Sequence, residues 1–136
     1  MSRKRDTLPK TGLELRDWLV SLFLDFVPGF GDEWHYEPDG TLTPHHVCSE
    51  FTGYYRKHIA DYDAPAVVEM FRVTEVINAA DPLDFDPVAN ALCTCFLENI
   101  AHSEPGESGR RHMSRNSRRF FDFWHRGYVP RLAGNP

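Results

Sequence analysis

Four times along this chain a helix-starting signal stands directly before an apolar pattern with a three-and-four residue period. That recurrence restricts the fold more than any other feature. Thr11-Gly12-Leu13-Glu14 has the capping-box form, in which a hydroxyl and a carboxylate satisfy otherwise orphan amides at a helix start. Leu15, Trp18, Leu19, Leu22, Phe23 and Phe26 then fall on one helical face until Pro28-Gly29 stops the pattern. Thr43-Pro44 places a capping hydroxyl before a proline whose missing amide hydrogen costs nothing at the first helical position, and Val47, Phe51, Tyr54, Tyr55, His58 and Ile59 follow in period. Asp63 is expected to cap a third helix with Val67, Met70, Phe71, Thr74 and Ile77 inward. Asp86-Pro87 starts a fourth, with Val88, Leu92, Cys95, Phe96 and Ile100 on its stripe and Ala89, Ala91, Cys93 and Leu97 off it. A helix apolar nearly all round belongs at the centre of a bundle.

Between these segments the period fails. Residues 30–42 read as a loop, with Glu37-Pro38-Asp39-Gly40 suited to a type I turn and Trp34 and Tyr36 as its anchors. Ser103-Glu104-Pro105-Gly106-Glu107-Ser108-Gly109 reads as a linker, being rich in residues that resist regular structure. After it, Met113, Ser117, Phe120, Phe121 and Trp124 fit one face of a fifth helix whose other side is arginine, ended by Gly127 and Pro130. The expected fold is therefore all-α, a single-domain bundle of about five helices over 12–27, 44–60, 64–80, 87–102 and 110–126. The third and fourth, joined by Asp81-Pro82, resemble one unit of a HEAT-like solenoid. Leu19, Phe23, Phe51, Phe71, Leu92, Phe96 and Trp124 are the expected core; residues 1–10 form a basic solvated tail and 11–136 the helical domain.

At 136 residues the chain is long enough to bury one core, and its 13 % aromatic content supplies large rings for it. No apolar run reaches membrane-spanning length, since Trp18 to Phe26 is interrupted by Ser21 and Asp25. Met1-Ser2-Arg3-Lys4-Arg5 is followed by Asp6-Thr7-Leu8-Pro9 rather than by the apolar stretch of a signal peptide. Cys48, Cys93 and Cys95 are odd in number, and the last two are too close in sequence for a comfortable mutual disulfide, so reduced thiols and a cytoplasmic location are expected. The net charge of −5 conceals a segregation: residues 11–109 carry 18 acids against Arg16, Arg56, Lys57 and Arg72, a net of −14, between basic ends of +3 and +6.

Chemistry-bearing residues are few and poorly spaced. His45, His46 and Cys48 are zinc-ligand types, but side chains at successive helical positions point about 100° apart and no Cys-x-x-Cys is present. Asp81, Asp84 and Asp86 lack the glycine and terminal glutamate of a calcium loop. Cys48 has no activating motif beside it, and there is no phosphate-binding glycine loop or nucleophile elbow, so neither catalysis nor a metal or cofactor is expected. The series Arg110, Arg111, Arg115, Arg118 and Arg119, interleaved with Phe120, Phe121 and Trp124, has the residue types of a nucleic-acid track. Core packing for the rings and pairing with the acidic body for the arginines are the readings preferred to it.

Two stretches carry a resemblance. Leu42-Thr43-Pro44-His45-His46-Val47-Cys48-Ser49-Glu50-Phe51, and the span from Val76-Ile77-Asn78 through Val88-Ala89-Asn90-Ala91-Leu92 to Phe96-Leu97-Glu98-Asn99-Ile100, are similar to an uncharacterised family of small helical bacterial proteins, some associated with immunity to polymorphic toxins. The resemblance implies an immunity protein that binds and neutralises a cognate toxin without catalysis. The alternative is a non-catalytic regulatory or scaffold protein for another basic partner. An acidic body steers association with a basic toxin cleft, so the expected partner surface comprises Glu33, Trp34, Tyr36, Glu37, Asp39, Asp61, Asp63, Asp81, Asp84 and Asp86, with neither nucleic acid nor membrane as partner.

Overall fold

The computed structural model describes residues 8–26, 42–80 and 86–129. Among them every regular element is helical: α1 (Gly12–Leu22), α2 (Pro44–His58), α3 (Pro65–Ala80), α4 (Pro87–Ala91), α5 (Glu104–Arg110) and α6 (Arg115–His125). The caps explain several starts. Thr11 accepts the Glu14 N–H, Thr43 the His46 N–H, and Asp86 the N–H groups of Val88 and Ala89. The first helix ends at Leu22, short of the expected residue 27, yet the turn after it still buries Phe23 and Phe26. Leu8, assigned to the solvated tail, is also buried in the core.

Beyond α4 the chain continues as a rod without a break, first as a π-helix over Leu92–Leu97 and then as a 3₁₀ turn over Glu98–Ile100. The Glu98 N–H donates to the Cys93 carbonyl five residues back. The Cys95 carbonyl is taken up from outside the helix ladder, accepting from Asn99 Nδ2 at 3.0 Å and from the Thr52 hydroxyl at 2.6 Å. The Cys95 carbonyl of this wider turn is therefore satisfied by side chains. As expected from its composition, the rod is the centre of the bundle: Val88, Ala89, Ala91, Leu92, Cys93, Phe96, Leu97 and Ile100 are all buried. With α4 it packs against α2, α3 and α6. Phe96 lies among Phe51, Tyr55 and Phe71, with ring centroids 5.3, 5.3 and 5.9 Å away.

The segment expected to be a linker is helical, and its glycines explain why. A Cβ on Gly106 would lie 1.9 Å from the Ile100 carbonyl oxygen, and one on Gly109 would lie 2.4 Å from the Tyr55 hydroxyl and 2.9 Å from Phe71. These glycines allow α5 to pack flush on the core; they are not there for flexibility. Ser103 caps the helix by accepting the Gly106 N–H, with Pro105 in its first turn. The expected fifth helix consequently divides: Arg110 closes α5, a turn follows, and α6 begins at Arg115.

Trp124, expected in the core, is 42 % exposed. The buried stripe of α6 is Ser117, Phe121 and His125, three positions each four apart. It is rotated roughly 50° from the face suggested by the large rings, at about 100° per residue. His125 holds the stripe inward despite its polarity. Its Nδ1 accepts the His102 N–H at 2.9 Å, its Nε2 donates to Glu107 at 2.9 Å, and Phe121 stacks on it at 4.4 Å. Met113 and Phe121 are buried and Phe120 half-buried, as the sequence suggested.

Candidate partner-binding face

The rotation of α6 decides what the surface offers. With Ser117, Phe121 and His125 inward, Arg115, Arg119, Phe123 and Trp124 stand outward. Phe123 is 56 % exposed and meets Trp124 edge to face, with centroids 5.0 Å apart. The Arg126 guanidinium lies over the Phe123 ring at 4.7 Å, a cation–π contact. Beside the pair, a groove of about 350 Å³ runs between α6, α3 and the π-helical turn, lined by Asn78, Cys93, Asn116, Arg119, Phe120 and Phe123.

The arginines divide by partner. Arg110 makes two 2.8 Å hydrogen bonds to Asp122, Arg111 reaches Asp63 at 2.6 Å, and Arg118 donates to the Arg110 carbonyl at 3.0 Å. The Arg110 fork holds the Asp122 carboxyl below its ordinary range, and Arg111 does the same for Asp63. Among the described residues no carboxylate lies within ion-pair reach of Arg115, Arg119 or Arg126. Internal pairing thus accounts for half of these arginines, and the other half remain on the open side of α6.

Of the acids expected at the partner surface, Glu33, Glu37, Asp39, Asp81 and Asp84 lie outside the described residues, as do Trp34 and Tyr36. The three that are described have internal work. Asp86 caps α4, as anticipated. Asp61 accepts the Asp63 N–H at 2.9 Å. Asp63, anticipated as a cap of α3, turns its carboxylate to Arg111 and His112, because Pro65 takes the first helical position and moves the cap one residue beyond it. Asp61 and Asp63 therefore form one cluster, and no hydrogen bond links Asp86 to it.

The candidate chemical groups sit in quiet surroundings. Burial pushes the Cys48 thiol well up, and burial together with the Glu75 charge pushes Cys93 up to about 12, so both remain protonated and poorly nucleophilic. His45 binds Asn90 at 2.9 Å, and His46 faces Glu50 at 3.9 Å. Both ring nitrogens of His125 are engaged in hydrogen bonds within the bundle. Among the described residues no cluster of three or more histidine, cysteine or acidic side chains is arranged to hold a metal ion. No helix among them is long and apolar enough to cross a membrane.

Comparison of the chain with protein-family models, with curated proteins and with solved structures finds no match. The exposed face of α6 was not legible in the sequence as a site, because its rings and arginines satisfied the period of a core helix and the needs of an acidic body. The pointer to it was His125, whose position four residues after Phe121 completes the buried stripe.

Proposed function

We propose that this protein is a non-catalytic immunity protein that binds and neutralises a cognate bacterial toxin in the cytosol, with the open face of α6 as its contact surface. The observation that carries the reading is the pair Phe123 and Trp124, adjacent, exposed and flanked by Arg119 and Arg126. Aromatic and arginine side chains are the types that dominate binding energy at interfaces. Two large rings left side by side in water cost free energy that a partner recovers by covering them. The acidic body acts at longer range, where it steers a partner with a basic active site towards the protein, while the rings supply contact energy. The family resemblance of the Leu42–Phe51 and Val76–Ile100 stretches supports toxin neutralisation as the specific role.

The test is co-expression with the product of the adjacent reading frame. Wild-type protein is expected to protect cells from that product, and Phe123→Ala/Trp124→Ala to lose protection while keeping a helical circular-dichroism spectrum. Full protection by the double variant would remove α6 as the contact surface. A complex that forms with a non-toxic product would replace neutralisation by the regulatory or scaffold reading.

A further inference from the structure

The groove beside the aromatic pair has a more particular chemistry than the pair itself. Phe120 and Phe123 line it together with Cys93 of the π-helical turn. Such turns are rare and recur at functional sites. Arg119 stands at the groove with its guanidinium unpaired among the described residues, and Arg115 lies one turn before it in the same condition. Two described acids on these elements are already committed. Glu75 spends both carboxylate oxygens on Asn116 and Ser117, and Asp122 is held by Arg110. Asn116, which lines the groove, donates its side-chain amide to Glu75.

We infer that this groove receives an acidic-aromatic peptide segment of the partner: a bulky ring seated between Phe120 and Phe123, with a neighbouring carboxylate paired to Arg119. The inference rests on the partner-binding function proposed above and assigns the anchor it uses. A volume of about 350 Å³ is at the small end of ligand sites and suits one side chain. A planar guanidinium beside an apolar wall selects a carboxylate, which it binds through two parallel hydrogen bonds. A groove of this volume holds one ring, whereas a nucleic-acid strand needs a track of successive stacking platforms.

The probe is a capped pentapeptide with a central phenylalanine flanked by aspartates and glutamates, titrated to millimolar concentration into the full ¹⁵N-labelled chain. The expected result is shifts confined to the backbone amides of Asn116, Arg119, Phe120 and Phe123 and the side-chain amides of Asn78 and Asn116. Arg119→Gln, a change at an exposed position, should weaken the peptide about tenfold, as should replacing the central phenylalanine by alanine. No shifts at this groove, equal binding of a peptide with lysines for the acids, or stronger binding of a five-nucleotide thymidine strand would overturn the inference. Protection of cells without peptide binding would overturn this groove assignment alone. Peptide binding without protection would uphold the groove and remove the immunity role.

Discussion

The carboxylate of Glu75, on α3, caps α6: one oxygen accepts the Ser117 N–H at 2.9 Å and the other the Asn116 N–H at 3.0 Å. Ser114, at the ordinary capping position, makes no side-chain cap, so two of the free amides at this helix start are satisfied across the bundle, 41 and 42 residues away in sequence. A negative charge at a helix N-terminus is also favoured by the aligned peptide dipoles. Glu75→Ala should cost about 1–2 kcal/mol, the upper range for loss of a helix cap. Glu75→Gln, which keeps acceptor capacity, should cost less. Urea unfolding midpoints check both, and an unchanged midpoint for the alanine variant would contradict the capping role.

Glycines separate into two kinds. Gly109→Ala forces a methyl against Tyr55 and Phe71 and should destabilise by about 1–3 kcal/mol, the usual cost of overfilling a core. Gly53, inside α2, has nothing within 4 Å of a built Cβ, so Gly53→Ala should stabilise by about 0.5–1 kcal/mol. Opposite shifts of thermal midpoint are expected. Equal shifts would refute the view of α5 as a closely packed helix.

Sequence reasoning read α2, α3 and the central rod well because their stripes consist of residues whose burial follows from hydrophobicity. Phe51, Met70, Phe71 and Phe96 all lie within 1 % of complete burial. It failed where packing overrides local preference. Gly106 and Gly109 look like linker residues until Ile100, Tyr55 and Phe71 are seen against them. His125 counts as polar until Glu107 and the His102 amide satisfy both its nitrogens. Placing Trp124 on the inner stripe, where His125 in fact completes it, turns α6 and hides the exposed face. The Arg111–Asp63 contact spans 48 residues, and no local pattern encodes it.

Acid should weaken the fold through Asp122. Its carboxyl is held below the ordinary range, first by the Arg110 hydrogen bonds. A depressed folded value means this contribution is fully present above the unfolded value of about 3.9 and is lost as pH falls through the folded value. Stability should therefore change little through this group from neutral pH to about 5 and decline below about 4. Asp122→Asn should be less stable at pH 6 and show a shallower acid limb in urea melts at successive pH values. A parallel acid limb in the two proteins would exclude the pair as a contributor.

Thiol reactivity should follow burial. Cys48 and Cys93 are about 1 % exposed, and desolvation keeps both protonated, whereas Cys95 is partly accessible. The native protein should react quickly with an aromatic disulfide reagent at no more than one thiol, and all three should react in denaturant. Rapid modification of three thiols in the native state would contradict the packing of the central rod.

The central claim is that α6 binds a protein partner through Phe123 and Trp124, and titration calorimetry with the purified product of the adjacent reading frame tests it most directly. Loss of a ring at an interface centre typically costs at least about 2 kcal/mol, so each of Phe123→Ala and Trp124→Ala should raise Kd roughly 30-fold or more. Both residues are partly exposed, so each variant should keep a cooperative unfolding transition with a modestly lowered midpoint. Wild-type affinity in both variants, with the fold intact, would contradict the account.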